Sequence, residues 1–415
     1  MAIVRPFRAI RPQPDVAASV AALPYDVMNS DEARQMVKGN PYSFLHVDKA
    51  EIDMDPAIDL YDTRVYEKAR DNLNQMIEKD VFLQDAKPCL YVYKQVMNGR
   101  AQIGIVACTS VDEYRENIIK KHELTRADKE QDRVNHVDYC DANTGPIFLT
   151  YRADHEINAL VEAAMTKAPV YDFVSEDGIG HTVWVIDGED TVAKIAARFD
   201  TIPYLYIADG HHRSASAVRV GMKRREANPD FDGTEEFNFF LSVLFPDEQL
   251  YIMDYNRLVK DLNGYSEAEY LQKVAESFTV TPYEKEGVLK PENKHTFGMY
   301  LNGKWYLLAA KEGSFDAADP VAQLDVSILQ NNLLHPILNI GDPRTDKRID
   351  FVGGIRGLQN LADRVDSGEM AVAFSMYPTT MQDLMDIADA GAIMPPKSTW
   401  FEPKLRSGLF IHKLK

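Results

Sequence analysis

Five residues with chemical uses stand in a row at Asp209-Gly210-His211-His212-Arg213. Glycine lets a ligand approach the main chain, because no Cβ intervenes. Arginine grips phosphate oxygens through its planar fork, and imidazoles donate hydrogen bonds to the same oxygens. Asp209 could hold Mg²⁺ or accept a proton from a substrate hydroxyl. The run sits between "YLYIAD" and "RSASAVRV". A short apolar run ending in a turn residue reads as a buried strand, and the Ala/Ser-rich stretch reads as a helix. A helix start offers unsatisfied N–H groups and the positive end of the dipole, a natural place for a phosphate. The plain alternative is a helix capped by Asp209 with solvated His and Arg side chains. Five such residues directly after a buried strand favour the anion site.

A second cluster is "KKHELTRADKEQDRVNHVD", Lys120 to Asp138. It gathers Lys121, His122, Glu123, Lys129 and Arg133 in an otherwise acidic chain. Phosphoryl transfer uses such a mixture, with cations for the developing charge and a carboxylate for a hydroxyl proton or a metal. His122-Glu123 lacks the second histidine of the H-E-x-x-H zinc spacing. The alternative is a solvated helix face with i,i+4 ion pairs, and composition alone does not choose. Weaker signals are Asp26 in "LPYDV", and Lys397, Ser398, Thr399 and Lys404 in the C-terminal tail. A structural strap explains the tail as well. Arg344, Asp346 and Arg348 in "GDPRTDKRIDFVGG" read as a salt-bridged turn or a cleft lining.

Other elements must position these residues. Asn98-Gly99 and Asn302-Gly303, each flanked by apolar runs, predict two hairpins. "TVWVID" and "FNFFLSVLFP" read as strands, and "DTVAKIAARF" and Met381–Ala390 as helices. A capped helix is expected from Ser30, another within 56–80, and a third over 319–338. Hairpins without a regular βαβ rhythm predict an α+β fold, with mixed, partly antiparallel sheets, flanking helices and two lobes. The division is placed at 170/171: residues 1–170 carry the His-Glu cluster, and residues 171–415 carry the phosphate turn and the tail.

The net charge of −18 opposes capture by nucleic acid or anionic lipid, so neither is an expected partner. Cys89, Cys108 and Cys140 show no metal spacing, and a low, odd count fits a reduced cytoplasmic setting. No signal peptide is read in "MAIVRPFRAIRPQPD", and no run approaches the ~18 apolar residues of a membrane span.

"ADGHHRSASA" resembles the phosphate loop of the ParB/sulfiredoxin-like superfamily, and its Asp-Gly-His-His-Arg form resembles the free serine kinases of that group. More broadly, the chain resembles the family catalogued as domain of unknown function 1015. The match is carried by Pro24-Tyr25-Asp26, His122-Glu123-x-Thr125, Asp132-Arg133, Asp209 to Arg213, and Lys397-Ser398-Thr399-x-Phe401-x-Pro403-Lys404. The resemblance implies a ParB/sulfiredoxin-like nucleotide-binding core. It also implies a kinase acting on a small hydroxyl acceptor, with L-serine first, and a donor of ATP, ADP or pyrophosphate with Mg²⁺. The alternative is a non-catalytic nucleotide-binding regulatory module. Sulfiredoxin chemistry needs a cysteine where His211 stands, which argues against sulfinic acid reduction. The donor phosphates are expected on Gly210, His211, His212 and Arg213, faced by Lys121, His122, Lys129 and Arg133. Glu123 is the first candidate base, then Asp209, the expected Mg²⁺ ligand, then Asp26.

Overall fold

Asn98 and Asn302 lie at φ of 52° and 47°, and each following glycine at 78°. Two successive positive φ values make the tight turn whose twist matches antiparallel strands. Each turn closes a hairpin, pairing Met97 with Arg100 and Leu301 with Lys304. The computed structural model describes all 415 residues and divides into two compact units, so each hairpin serves a different unit. The first unit is Met1–Leu250 with Pro403–Lys415, and the second is Tyr251–Glu402. The division expected at 170/171 falls inside the first unit. A cut there would part the strand Gly180–Ile186 from Leu90–Met97, its partner in the same sheet.

That sheet has nine strands: β1 (Val4–Arg5), β2 (Leu90–Met97), β3 (Arg100–Ser110), β4 (Ile119–Lys120), β5 (Ile147–Tyr151), β6 (Tyr171–Val174), β7 (Gly180–Ile186), β8 (Leu205–Asp209) and β9 (Phe239–Pro246). Their order is β4-β8-β5-β9-β3-β2-β7-β6, with β1 also on β3. Only the pairs β4–β8 and β5–β9 are parallel, so the sheet is mixed, as the hairpins predict. Its central strands read as unbroken apolar runs because both faces are covered. Every residue of β5 is buried, and so is every residue of β9 after Phe239. Leu149, Ile207, Phe240 and Leu244 lie in one core cluster, each burial worth about 1.5–3 kcal/mol.

Helix α1 is Thr63–Glu78, α2 is Ala127–Cys140 and α3 is His211–Ala227. Small residues from Ser214 to Ala217 let α3 lie close to its neighbours, and Gly221 is a tight approach: a Cβ there would be 2.6 Å from the Phe237 carbonyl oxygen. Basic side chains of α3 are tied to α2. Arg219 pairs with Glu130 at 3.1 Å, Lys223 with Asp138 at 2.6 Å, and Arg224 with both Asp138 and Asp141. The capped helix from Ser30 is present, with Asn29 and Glu32 forming a capping box.

The second unit is built on a six-stranded antiparallel sheet. Its strands are β10 (Tyr255–Val259), β11 (Phe278–Pro282), β12 (Thr296–Leu301), β13 (Lys304–Ala310), β14 (Ile349–Gly353) and β15 (Val372–Met376). The order is β11-β13-β12-β15-β10-β14. The single helix expected over 319–338 is broken. Asp319 accepts from the N–H groups of Val321 and Ala322 and closes a turn, so helix begins only at Asp325 and becomes a π-turn at Gln330–Leu334. Arg344 and Arg348 form a salt-bridged turn with Asp342 and Asp346. No helix of the chain is long and apolar enough to cross a membrane.

Candidate active site

A two-residue strand brings the two sequence clusters together. β4 pairs in parallel with β8, Ile119 against Leu205 and Lys120 against Tyr206. The segments that follow, Lys121-His122-Glu123 and Gly210 to Arg213, therefore leave the sheet at the same edge. In open α/β sheets ligands favour the carboxyl ends of parallel strands, and both segments emerge at that end of the β4–β8 pair. Gly210 turns the chain from β8 into α3 at φ 94°, where any side chain is strained. A Cβ there would also sit 3.1 Å from Arg213 Nε. Helix α3 has no side-chain cap, so its first N–H groups have no acceptor from the helix itself. The Gly210 N–H donates to Asp209 Oδ1 at 2.9 Å.

The His122 and His211 rings meet edge to face, with centroids 4.5 Å apart. They are 1% and 6% exposed. Both ring nitrogens of His122, and Nε2 of His211, have no hydrogen-bond partner. Burial pushes His122 down to about 4. Burial, and then the neighbouring His122, hold His211 well below the ordinary imidazole range. Glu123 is half-exposed, and its Oε2 lies 3.9 Å from His211 Nδ1. His212 Nε2 accepts from the Arg126 N–H at 3.1 Å, which fastens the basic segment to the turn.

Arg213 is buried. Its Nη1 donates to the Pro146 carbonyl, its Nη2 lies 3.7 Å from Asp209 Oδ2, and its Nε has no partner. Lys404 Nζ reaches the same Oδ2 at 3.4 Å. Burial alone would raise Asp209, but Lys404, Arg213 and His211 hold it well below the ordinary carboxylate range.

Arg213 also lines a pocket, together with Tyr25, Asp48, Arg133, His136, Thr144 and Ser407. The Arg133 guanidinium lies 4.0 Å over the Tyr25 ring and pairs with Asp132 at 2.8 Å. Thr144 donates to Asp48 at 2.8 Å, and His136 Nε2 is 3.2 Å from Thr144 and 3.5 Å from Asp48. Burial works against a charged His136, but Cys140 and Asp48 raise it to about 9. The arrangement can hold an anion on N–H groups, imidazoles and arginines, with a carboxylate at the rim.

The structure thus collects Asp209, Gly210, His211, His212, Arg213, His122, Glu123 and Lys404. Arg133 joins them through the pocket. Exposed Asp26 is near enough for its charge to act on His212 and Arg213. Two cations point elsewhere. Lys121 lies 4.1 Å over the Tyr114 ring and donates to the Tyr114 carbonyl at 3.4 Å, although its charge still lowers His211. Lys129 sits 5.6 Å over the Tyr61 ring. Lys397, Ser398 and Thr399 belong to the second unit. There the Lys397 carbonyl accepts from Arg257, the Ser398 hydroxyl donates to the Pro395 carbonyl, and the Ser398 carbonyl accepts from Thr379. Asp48, His136, Thr144 and Ser407, none of them a candidate on sequence, line the adjoining pocket.

The sequence matches the family described as Protein of unknown function (DUF1015) over residues 4–327. No curated protein matches it. Among solved structures, a conserved hypothetical protein from Pyrococcus furiosus shares 14% identity at a TM-score of 0.36, over 74% of this chain and 94% of that one. A free serine kinase in complex with AMP shares 13% at 0.36, over 74% and 91%. SbnI with C-terminal truncation, from Staphylococcus aureus, shares 12% at 0.37, over 72% and 82%. With a match across more than three-quarters of its length, the chain belongs to the DUF1015 family.

Proposed function

We propose that the protein is a small-molecule phosphotransferase, with ATP, ADP or pyrophosphate as donor and free L-serine as the first acceptor to test. One observation carries the reading. The uncapped start of α3 is ringed by unpartnered imidazole nitrogens and buried Arg213, with the half-exposed Glu123 carboxylate 3.9 Å from His211. The acceptor comes from the motif resemblance.

In this reading the donor phosphates rest on the first N–H groups of α3 and accept from His211, His212 and Arg213. The serine oxygen forms a bond to the terminal phosphorus, the bond to the leaving phosphate breaks, and the hydroxyl proton passes to Glu123. Loose phosphoryl-transfer transition states need positioning and charge neutralisation more than a strong base. Asp26, at the rim, is the second candidate for the proton. Asp209 fits neither that task nor Mg²⁺: a dication at Oδ2 would face Lys404 at 3.4 Å and Arg213 at 3.7 Å, and Oδ1 accepts from Gly210. We assign Asp209 the orientation of those two cations. Three buried, unpaired thiols agree with a cytoplasmic setting.

The test is incubation with each donor and L-serine, with and without Mg²⁺ in the buffer, followed by phosphorus NMR. The expected product is a serine phosphomonoester. Glu123→Gln should lower its rate by about 100- to 10,000-fold while leaving donor affinity intact. A donor that binds but never transfers would favour a nucleotide-binding regulatory module instead.

A further inference from the structure

The same edge of the sheet presents a second kind of donor set. One metal-ligating atom from each of His122, Glu123 and His211 lies within 4.8 Å of the other two. Buried polar atoms without partners are rare in folded proteins, and three of them belong to these two rings. A phosphate on α3 already has backbone N–H groups and Arg213 for donors. Two buried imidazoles beside a carboxylate also offer lone pairs, which a cation can take. We propose that His122, His211 and Glu123 form a binding site for a first-row transition dication, with Zn²⁺ the best match.

The donor types select the metal. Imidazole suits Zn²⁺, Co²⁺ and Ni²⁺, whereas Mg²⁺ and Ca²⁺ prefer oxygen. Three protein ligands leave a fourth tetrahedral position open. Ligand atoms in such a shell lie about 3.3–3.5 Å apart, so the set must draw in by about 1–1.5 Å. Glu123 is the part that can move, since it is half-exposed on the segment between β4 and α2. The histidines need less adjustment, because parallel pairing of β4 with β8 already holds their segments side by side. The site stands on this cluster and does not rest on the phosphotransferase reading. The two uses compete for one carboxylate: a metal-bound Glu123 cannot also take a proton, so Zn²⁺ should suppress transfer.

The probes are CoCl₂ and ZnCl₂ alone, titrated into tag-free, chelator-treated full chain in phosphate-free buffer. Co²⁺ absorption and calorimetry are the readouts. The expected result is one equivalent of Co²⁺ bound with visible absorption bands and displaced by Zn²⁺. His122→Gln should weaken binding by at least about 100-fold, and Glu123→Gln by about 10-fold. The chain has ten histidines, so stoichiometry and variant dependence decide, not binding alone. His122 is buried, so its variant is checked by circular dichroism and melting. If it does not fold, Glu123→Gln decides. Unchanged affinity in the folded variants, or no one-equivalent binding at micromolar metal, would overturn the site.

Discussion

Two buried histidine clusters lie in the first unit, and they are completed differently. His136 is surrounded by partners: Thr144 and Asp48 face it, and Asp48 is held below the ordinary carboxylate range, because His136, Ser407 and Arg133 outweigh its burial. His122 and His211 are equally hidden but have three ring nitrogens without a partner. A satisfied buried pair fixes the local structure. An unsatisfied one costs free energy unless a ligand completes it. The contrast separates a structural device from a binding site, although His122 and His136 are neighbours in the sequence, one just before α2 and the other on it.

The largest expected effect comes from breaking the completed cluster. His136→Ala leaves Asp48 as a buried charge without its main counter-ion, so urea unfolding should show a loss of about 3–5 kcal/mol. A loss under about 1 kcal/mol would mean that the pair is not a structural device. Next comes the open cluster. Arg213→Ala should weaken donor binding by about 1.5–3 kcal/mol, the scale of a charged hydrogen bond, in a protein that remains folded. Calorimetry with ADP or pyrophosphate reads this directly, and unchanged affinity would remove the donor from the turn.

The pH dependence sharpens the same contrast, because the two clusters act on opposite limbs. His136 is raised from its ordinary 6.5 to about 9, so its contribution is fully present below about pH 6.5 and is lost as pH rises through 9. His122 is lowered to about 4, so the unfolded chain binds its proton first. Its contribution is present above about pH 6.5 and fades as pH falls towards 4. Relative to wild type, His136→Gln should flatten the alkaline limb of stability against pH, and His122→Leu the acid limb. Exchanged limbs would contradict both assignments. The smallest effect is that of His122→Leu at pH 7. Removing an unpartnered polar group should change stability by under about 1 kcal/mol in either direction.

Local chemistry was legible in the sequence wherever a few adjacent residues determine it. The two Asn-Gly turns, the apolar strand before Gly210 and the capped helix from Ser30 are of this kind. The meeting of His122 with His211 was expected only in outline, since it depends on the β4–β8 pairing, and a two-residue strand leaves no period to read. Asp48, His136 and Thr144 have ordinary neighbours in the chain and come together through tertiary packing alone. The aim of Lys121 and Lys129 at tyrosines was equally hidden: composition counts cations but does not point them. The second unit begins at Tyr251, where no Gly-, Ser- or Pro-rich stretch marks the boundary, so its start was not legible.

The central claim is that the open cluster receives a phosphate-bearing ligand and the completed one does not. Titrating ADP, ATP or pyrophosphate into metal-free protein, while following histidine ring resonances by NMR, tests it most directly. The account predicts saturable shifts of His122, His211 and His212 with His136 unmoved. Shifts confined to His136, or no histidine shift at donor concentrations that saturate binding, would contradict it.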